Sequence, residues 1–419
     1  MIQEFSVENF LSFRHKVTID FLATAEQHLM EELTHEVKPG NRILRMAMIY
    51  GANASGKTNL LKAIEATWYL LYESQNTEDH PLPMYHPFRL DDNRPTSCDM
   101  TFWIGDTKYR YAAKYLEKEI LYEKLQYTTE AGIMSLLYER EKDKEIKFGS
   151  TLKMNANQRN LFNLETLKNH SVVSTLNKKN IPAPAPLKNL YEWVKNKIHD
   201  QNKYSQAIAI AEQAIKNPKL KDLILDLLSR ADLNIRDFKI VEQGIPEELK
   251  MKISGNLSSF EKVFKALAKQ RKSLYFTHQA GDETFDLGYE MESRGTQVYF
   301  RFARILYDLH SGGHVVLEDE IGRSLHYELL LHFLELYLRN SNDSQLIFTT
   351  HNLLLLDESW LLRRDLIWFV EKDRNSASSV LYRASEKGIH KNLSLLNAYR
   401  TGKLGGKPLL GSTILGGIE

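Results

Sequence analysis

One cysteine, Cys98, stands in 419 residues, so no disulfide framework can form within the chain and a reducing cytosol is the expected setting. Cys98 reads as a small half-buried strand residue rather than a nucleophile. Charge of either sign is not in excess: Lys and Arg number 55 against 54 Asp and Glu, a net charge of +1. A strongly basic nucleic-acid binder would show more, although balance leaves room for a local basic patch. No apolar run approaches a membrane span, so no membrane partner is expected. The opening "MIQEFSVENF" lacks the basic and apolar regions of a signal peptide. Internal repeats, persistent heptads, Cys/His metal clusters, H-x-x-x-H pairs and a nucleophile elbow are all missing. Present instead is 42% hydrophobic content, enough for a sizeable core in one large domain with an insertion.

"IQEFSVENFLSFRHKVTIDF" alternates apolar and polar residues and predicts a β-hairpin or two adjoining strands. Residues 43–50, "ILRMAMIY", predict one buried strand. Leu60, Leu61, Ile64, Trp68 and Leu71 fall at helical spacing after it. Between Cys98 and Phe148, aromatic and β-branched residues alternate with charges in short runs, as in an antiparallel meander. The character changes near residue 150. "IPAPAPL" (181–187) predicts a stiff extended linker, and around it lie short amphipathic helices carrying Leu187, Leu190, Val194 and Ile198, then Ile208, Ala211, Ala214 and Ile215, then Leu220, Ile224 and Leu227. The last third alternates helix (297–309, 325–339) and strand (314–317, 345–349, 366–371), which predicts an α/β fold with a largely parallel sheet. The expected division is 1–150, a helical insertion 151–235, and 236–419.

Residues 51–58, "GANASGKT", fit G-x-x-x-x-G-K-[ST] between a buried strand and a helix. Glycines let backbone wrap close to phosphate, and the helix N-terminus adds partial positive charge. Gly51, Asn53, Ala54, Ser55, Gly56, Lys57, Thr58 and Asn59 are therefore the candidate ATP-binding residues. Lys57 would reach the outer phosphates, and Thr58 would bind Mg²⁺. Hydrolysis needs a metal-holding acid and a base, and "HVVLEDEIGRSLH" (314–326) offers both after an apolar strand. Asp319 is the candidate Mg²⁺ ligand and Glu320 the candidate base, but from the residues alone Glu318 followed by Asp319 fits as well. "SQLIFTTHN" delivers His351 to the same end of the sheet, where it can sense a γ-phosphate. Ser293, Gly295 and Thr296 sit in a small-residue loop before a helix, a second anion-suited feature that helix caps share.

The order phosphate loop, Ser-x-Gly-Thr, Asp-Glu and histidine resembles the ABC-type ATPase heads of the RecF and SMC group. More closely it resembles the prokaryotic ATP-binding proteins related to the OLD family, the RloA-like, AbiL-type and PARIS-system ATPases. "VENFLSFRHKVTIDF", "GANASGKTNLL", "ESRGTQ", "DEIGRSLH", "FTTHN", "LIWFVEKD" and "YRTGKLGGKP" carry the resemblance over nearly the whole chain. It implies an ABC-type head with an antiparallel β subdomain and a helical insertion, and it assigns the acidic pair to Asp319 and Glu320. It further implies that Ser293, Gly295 and Thr296 act in trans on the nucleotide of a second copy, so that ATP promotes a dimer or higher homo-oligomer. Arg294 within that loop and Glu318 before the acidic pair depart from the pattern. The segment Pro87-Phe88-Arg89-Leu90 resembles the family's Q-loop region without naming a Mg²⁺ contact.

Too little chain follows His351 for the Toprim nuclease of the OLD proteins. The expected function is therefore an ATPase sensor and scaffold that controls a separately encoded effector in antiphage defence, with the apolar faces of 151–235 either docking that effector or packing on one another. The alternative is a RecF-like repair ATPase bound to nucleic acid.

Overall fold

In the computed structural model the apolar run before Gly51 is two strands, not the single one expected over 43–50. Asn41–Leu44 pairs antiparallel with Thr34–Lys38, and Met46–Tyr50 joins a different sheet. The break falls at Arg45, a buried cation whose guanidinium donates to the Glu32 and Ser341 carbonyls. A buried charge needs such partners, and meeting them turns the chain out of one ladder into the next.

The structure describes residues 1–82, 84–177, 181–199, 207–231, 233–242, 272–341, 343–388 and 393–408. Two units share the chain. The first takes Met1–Asp200, Gly312–Ile321 and Ser341–Glu419; the second takes Gln201–Ser311 and Gly322–Asn340. The boundaries expected at 150 and 235 do not coincide with this division.

In the first unit, a six-stranded sheet runs in the order Ile198–His199, Val315–Glu318, Gln345–Thr349, Met46–Tyr50, Ile367–Lys372, Ser379–Arg383. The first five strands are parallel and the last is antiparallel. Met46–Tyr50, Val315–Glu318 and Gln345–Thr349 are buried throughout, which is why each reads as a nearly continuous apolar run. Parallel pairing brings their carboxyl ends to one edge, the edge that carries Gly51, Asp319 and Thr350. A seven-stranded antiparallel sheet holds the N-terminal hairpin, Ile2–Glu8 and Val17–Asp20, and the expected meander.

The helix Lys57–Tyr72 buries Leu60, Leu61, Ile64, Trp68 and Leu71. Trp68 meets Phe102 and Trp193 edge-on at 5.3 and 5.5 Å, and Phe102 stacks on Trp193 at 5.5 Å. Each such pair contributes about 0.5–1.5 kcal/mol beyond its buried area. The cluster explains why the chain to residue 200 belongs to this unit: Trp193 and buried Leu187, Leu190 and Val194 lie on the helix Ala185–Lys197. That helix begins inside the proline stretch expected to be a linker. Pro184 is its cap and Pro186 sits in the first turn, where a missing N–H costs nothing.

The second unit combines the helices Ala207–Lys216, Pro218–Arg230, Arg294–His310 and Tyr327–Asn340 with a three-stranded antiparallel sheet, Ile235–Glu242, Lys272–Ala280 and Glu283–Gly288. Phe238, Phe276 and Phe300 form its aromatic centre, with ring centroids 5.2–6.4 Å apart. Ile210, Ala211, Ala214, Leu220, Ile224 and Leu227 are all buried. The apolar faces of 151–235 expected to be free for docking are therefore core, with Ile215, 49% exposed, an exception along with Leu161 and Leu164.

Candidate functional site

The carboxyl end of Met46–Tyr50 runs into Gly51, and the chain wraps over to the helix that starts at Lys57. Two glycines are required by close approach. A Cβ on Gly51 would run into the Val370 carbonyl, and one on Gly56, at φ 114°, would sit 2.6 Å from both Ser12 Oγ and Ser379 Oγ. Ala54 adopts φ 60°, a left-handed conformation that costs an L-residue about 1–2 kcal/mol. The surroundings hold this shape: Ser379 Oγ donates to the Ser55 carbonyl at 2.5 Å, Ser379 N donates to the Ser12 carbonyl at 2.7 Å, and Asn59 Nδ2 donates to Ser12 Oγ at 2.9 Å.

Lys57 is buried, and its ammonium folds back to donate to the Gly51 and Ala52 carbonyls, both at 3.0 Å. Burial lowers its pKa below the ordinary lysine value, against the pull of Asp319 and Glu320. Thr58 Oγ1 donates to Asp319 Oδ2 at 2.8 Å, and Thr349 Oγ1 donates to Asp319 Oδ1 at 2.5 Å. Glu320 N donates to the same Thr349 hydroxyl at 2.7 Å, and Ile321 N donates to the Thr349 carbonyl at 2.9 Å. Thr349 thus sets both members of the acidic pair. Glu320 takes a left-handed φ of 51°, which lifts it off the strand line, while Glu318 is buried within the strand beside Phe348. Asp319 meets the loop through Thr58.

His351 follows Thr350, whose N–H donates to the Ile49 carbonyl at 3.1 Å. The His351 pKa is lowered, first by burial and then by the charge of Lys57, with Glu320 and Asp319 opposing. Lys57, Asp319, Glu320 and His351 therefore share one electrostatic neighbourhood. In front of Gly51–Ser55 and His351 opens a cleft of about 1260 Å³, rimmed by Lys16, Lys372 and Lys407.

The residues fit a nucleotide's phosphates and a hard cation. A buried hydroxyl, Ser55 Oγ, has no hydrogen-bond partner among the described residues, and such a group costs about 1–3 kcal/mol until it finds one. A lysine ammonium, a helix N-terminus and a threonine hydroxyl beside a carboxylate supply the donors and oxygen ligands that phosphate and Mg²⁺ take. Asn53 and Ala54 face outward on the loop.

Ser293, Gly295 and Thr296 lie in the second unit. Ser293 caps the helix Arg294–His310, earlier than the expected start at 297. Its Oγ accepts from Thr296 N at 3.0 Å and lies 2.8 Å from Thr296 Oγ1. Gly295 lies close to the Ser324 carbonyl. Arg294 is exposed, so the bulky cation in this loop does not disturb the packing. Phe88 is buried under the Arg14 guanidinium at 5.6 Å, and Arg89 and Leu90 are exposed.

Sequence reasoning missed Thr349, Ser12 and Ser379. Thr349 had a signal, a hydroxyl at the end of the strand beside the acidic one; the two serines had none, because each acts on a loop distant in sequence.

Among solved structures, the chain is similar to the "SMC head domain from Thermotoga maritima" at 14% identity, over 91% of this chain and 98% of that one, with a TM-score of 0.39. It is also similar to the "SmcHead bound to the C-winged helix domain of ScpA" at 12% identity, over 91% and 97%, with a TM-score of 0.42. No curated protein matches. Residues 46–357, which hold the phosphate loop, the acidic pair and His351, match a family model described as "AAA domain, putative AbiEii toxin, Type IV TA system", and the chain belongs to that AAA family.

Proposed function

We propose that this protein binds ATP with Mg²⁺ at residues 51–59 and hydrolyses it, and that the bound nucleotide switches the assembly of two or more copies to control a separately encoded effector. The observation that carries the reading is the hydrogen-bonded chain Thr58–Asp319–Thr349, which joins a phosphate loop to an acidic strand end 261 residues away. In this reading Lys57 leaves the Gly51 and Ala52 carbonyls to donate to the outer phosphates. Thr58 and Asp319 would hold the metal, and Thr349 holds the Asp319 carboxylate in place. Mg²⁺, if bound there, would supply positive charge against the phosphates. Glu320, lifted from the strand by its left-handed backbone, takes the proton from the attacking water, so that ATP and water give ADP and phosphate. His351, whose pKa burial and the charge of Lys57 lower, donates one hydrogen bond to the outermost phosphate.

Ser293, Gly295 and Thr296 complete the site of a second copy, which makes self-association ATP-dependent. The effector reading draws support from the family description, which names a toxin of a "Type IV TA system". Phosphate release with and without Mg²⁺, in the wild type and in Asp319→Asn, tests the ATPase. Turnover that survives both metal chelation and Asp319→Asn would sink it. Co-purification with the product of a neighbouring gene, lost or gained on adding ATP, tests the switch; a partner bound equally in both conditions counts against it.

A further inference from the structure

We infer that His278 and Glu292 are positioning residues for the loop at 293–296, so that the three-stranded sheet of the second unit sets the competence of that loop. The inference rests on the reading above, in which Ser293, Gly295 and Thr296 complete a nucleotide site.

Glu292 is the residue before Ser293, and its side chain is only 6% exposed. Its Oε1 accepts a hydrogen bond from His278 Nε2 at 2.6 Å. His278 lies on the strand Lys272–Ala280, paired with Phe285 of the next strand, and the Phe285 ring stacks on the imidazole at 5.2 Å with planes 14° apart. The imidazole is thus held on one face by its neighbour strand and offers its Nε2–H in a set direction. The Glu292 backbone is fixed as well: its N–H donates to the Tyr289 carbonyl at 3.2 Å, and its carbonyl accepts from Gln297 Nε2 at 3.3 Å. Gln297 Nε2 also donates to the Tyr289 carbonyl at 2.9 Å, which closes a small cage around the turn. The backbone torsions at Glu292 aim the Ser293 hydroxyl, and Ser293 Oγ is the acceptor for Thr296 N. Ser293 itself is exposed. The pair therefore acts one residue away from the exposed end of the loop, Ser293 and Arg294, where a displacement of about 1 Å costs up to a hundredfold in rate.

The test compares His278→Ala, His278→Gln, Glu292→Ala, the double alanine variant and Ser293→Ala in the full chain. Turnover, ATP affinity by a fluorescent analogue and ATP-dependent association are measured in each. Expected is a drop of about ten- to a hundredfold in kcat for His278→Ala, with ATP affinity within about twofold of wild type. His278→Gln, which keeps an N–H donor, restores most of the rate. The double variant is no worse than either single one, because both remove the same interaction. If Ser293→Ala lowers kcat but His278→Ala and Glu292→Ala do not, the pair has no positioning role and the inference falls alone. If Ser293→Ala also leaves kcat and association unchanged, the trans-acting reading of the loop fails first. Should His278→Ala not fold, Glu292→Ala against Glu292→Gln makes the same comparison, with Glu292→Gln keeping the acceptor. Equal loss in both would overturn the proposal.

Discussion

The loop that opens the helix Lys57–Tyr72 is gripped by Ser12 and Ser379 from outside and by a lysine folded into it, whereas the loop that opens the helix Arg294–His310 leans on its own residues and on Glu292. Glycine is needed in the first because side chains and a carbonyl crowd it. In the second, Gly295 approaches a single carbonyl, and Ser293 stays exposed. In the reading proposed above, the first loop keeps its backbone shape while the Lys57 ammonium leaves the Gly51 and Ala52 carbonyls for the phosphates. Exposure in the second suits a surface whose ligand comes from elsewhere. The contrast separates two kinds of mutant, those that lose nucleotide and those that keep it unused.

The largest expected effect lies at the acidic pair. Glu320→Gln should retain ATP and lose about 10²–10⁴ in turnover, the usual worth of a general base. Light scattering of that variant should then show a mass increase on adding ATP. Unchanged turnover would move the base to another residue, with Glu318 the next to examine. Lys57→Ala comes second: ATP affinity falls about a hundredfold because charge-assisted hydrogen bonds to phosphate disappear. Ser293→Arg should leave that affinity intact and abolish association, and equal loss of affinity in the two variants would erase the distinction between the loops.

Ser55→Ala is a finer probe. Removing a buried hydroxyl that lacks a partner should stabilise the nucleotide-free protein by about 1 kcal/mol and weaken its stabilisation by ATP. Thermal melts with and without nucleotide give both numbers, and a loss of stability in the free protein would show that the hydroxyl is already satisfied. The smallest effect concerns pH. The folded-state pKa of His351 lies below its ordinary value, so its contribution to stability is present above that value and lost as pH falls through the folded pKa. Between about pH 8 and pH 5 the wild type should lose more of its melting temperature than His351→Gln. Equal losses would place the imidazole in an unperturbed setting.

The strand–loop–helix around Gly51 was legible because its signals are local: an apolar run, glycines at fixed offsets, and helical periodicity from Leu60 to Leu71. The same holds for the meander, where alternation maps directly onto one buried face. Arg45 was illegible, since nothing nearby says that two distant carbonyls will receive its guanidinium. The helix carrying Leu187, Leu190 and Val194 was legible, but its start inside "IPAPAPL" was not, because proline stiffness and proline at a helix start look alike in one sequence. The buried faces of 185–197 and 207–230 looked available for docking only because their partners, Phe102 on one side and the helix Arg294–His310 on the other, lie far along the chain. At the site, the sequence offered Asp319 and Glu320 but not the threonine that holds them, since Thr349 acts across a sheet ladder.

One further consequence follows from how the chain is threaded. The run Gly312–Ile321 belongs to the first unit, yet the second unit resumes on both sides of it. Gly312 and Gly322 stand at those two junctions with φ of 81° and 73°. Asp319 and Glu320 therefore follow a buried inner strand, Val315–Glu318, in a stretch of the first unit that the chain enters from the second unit and leaves to return to it.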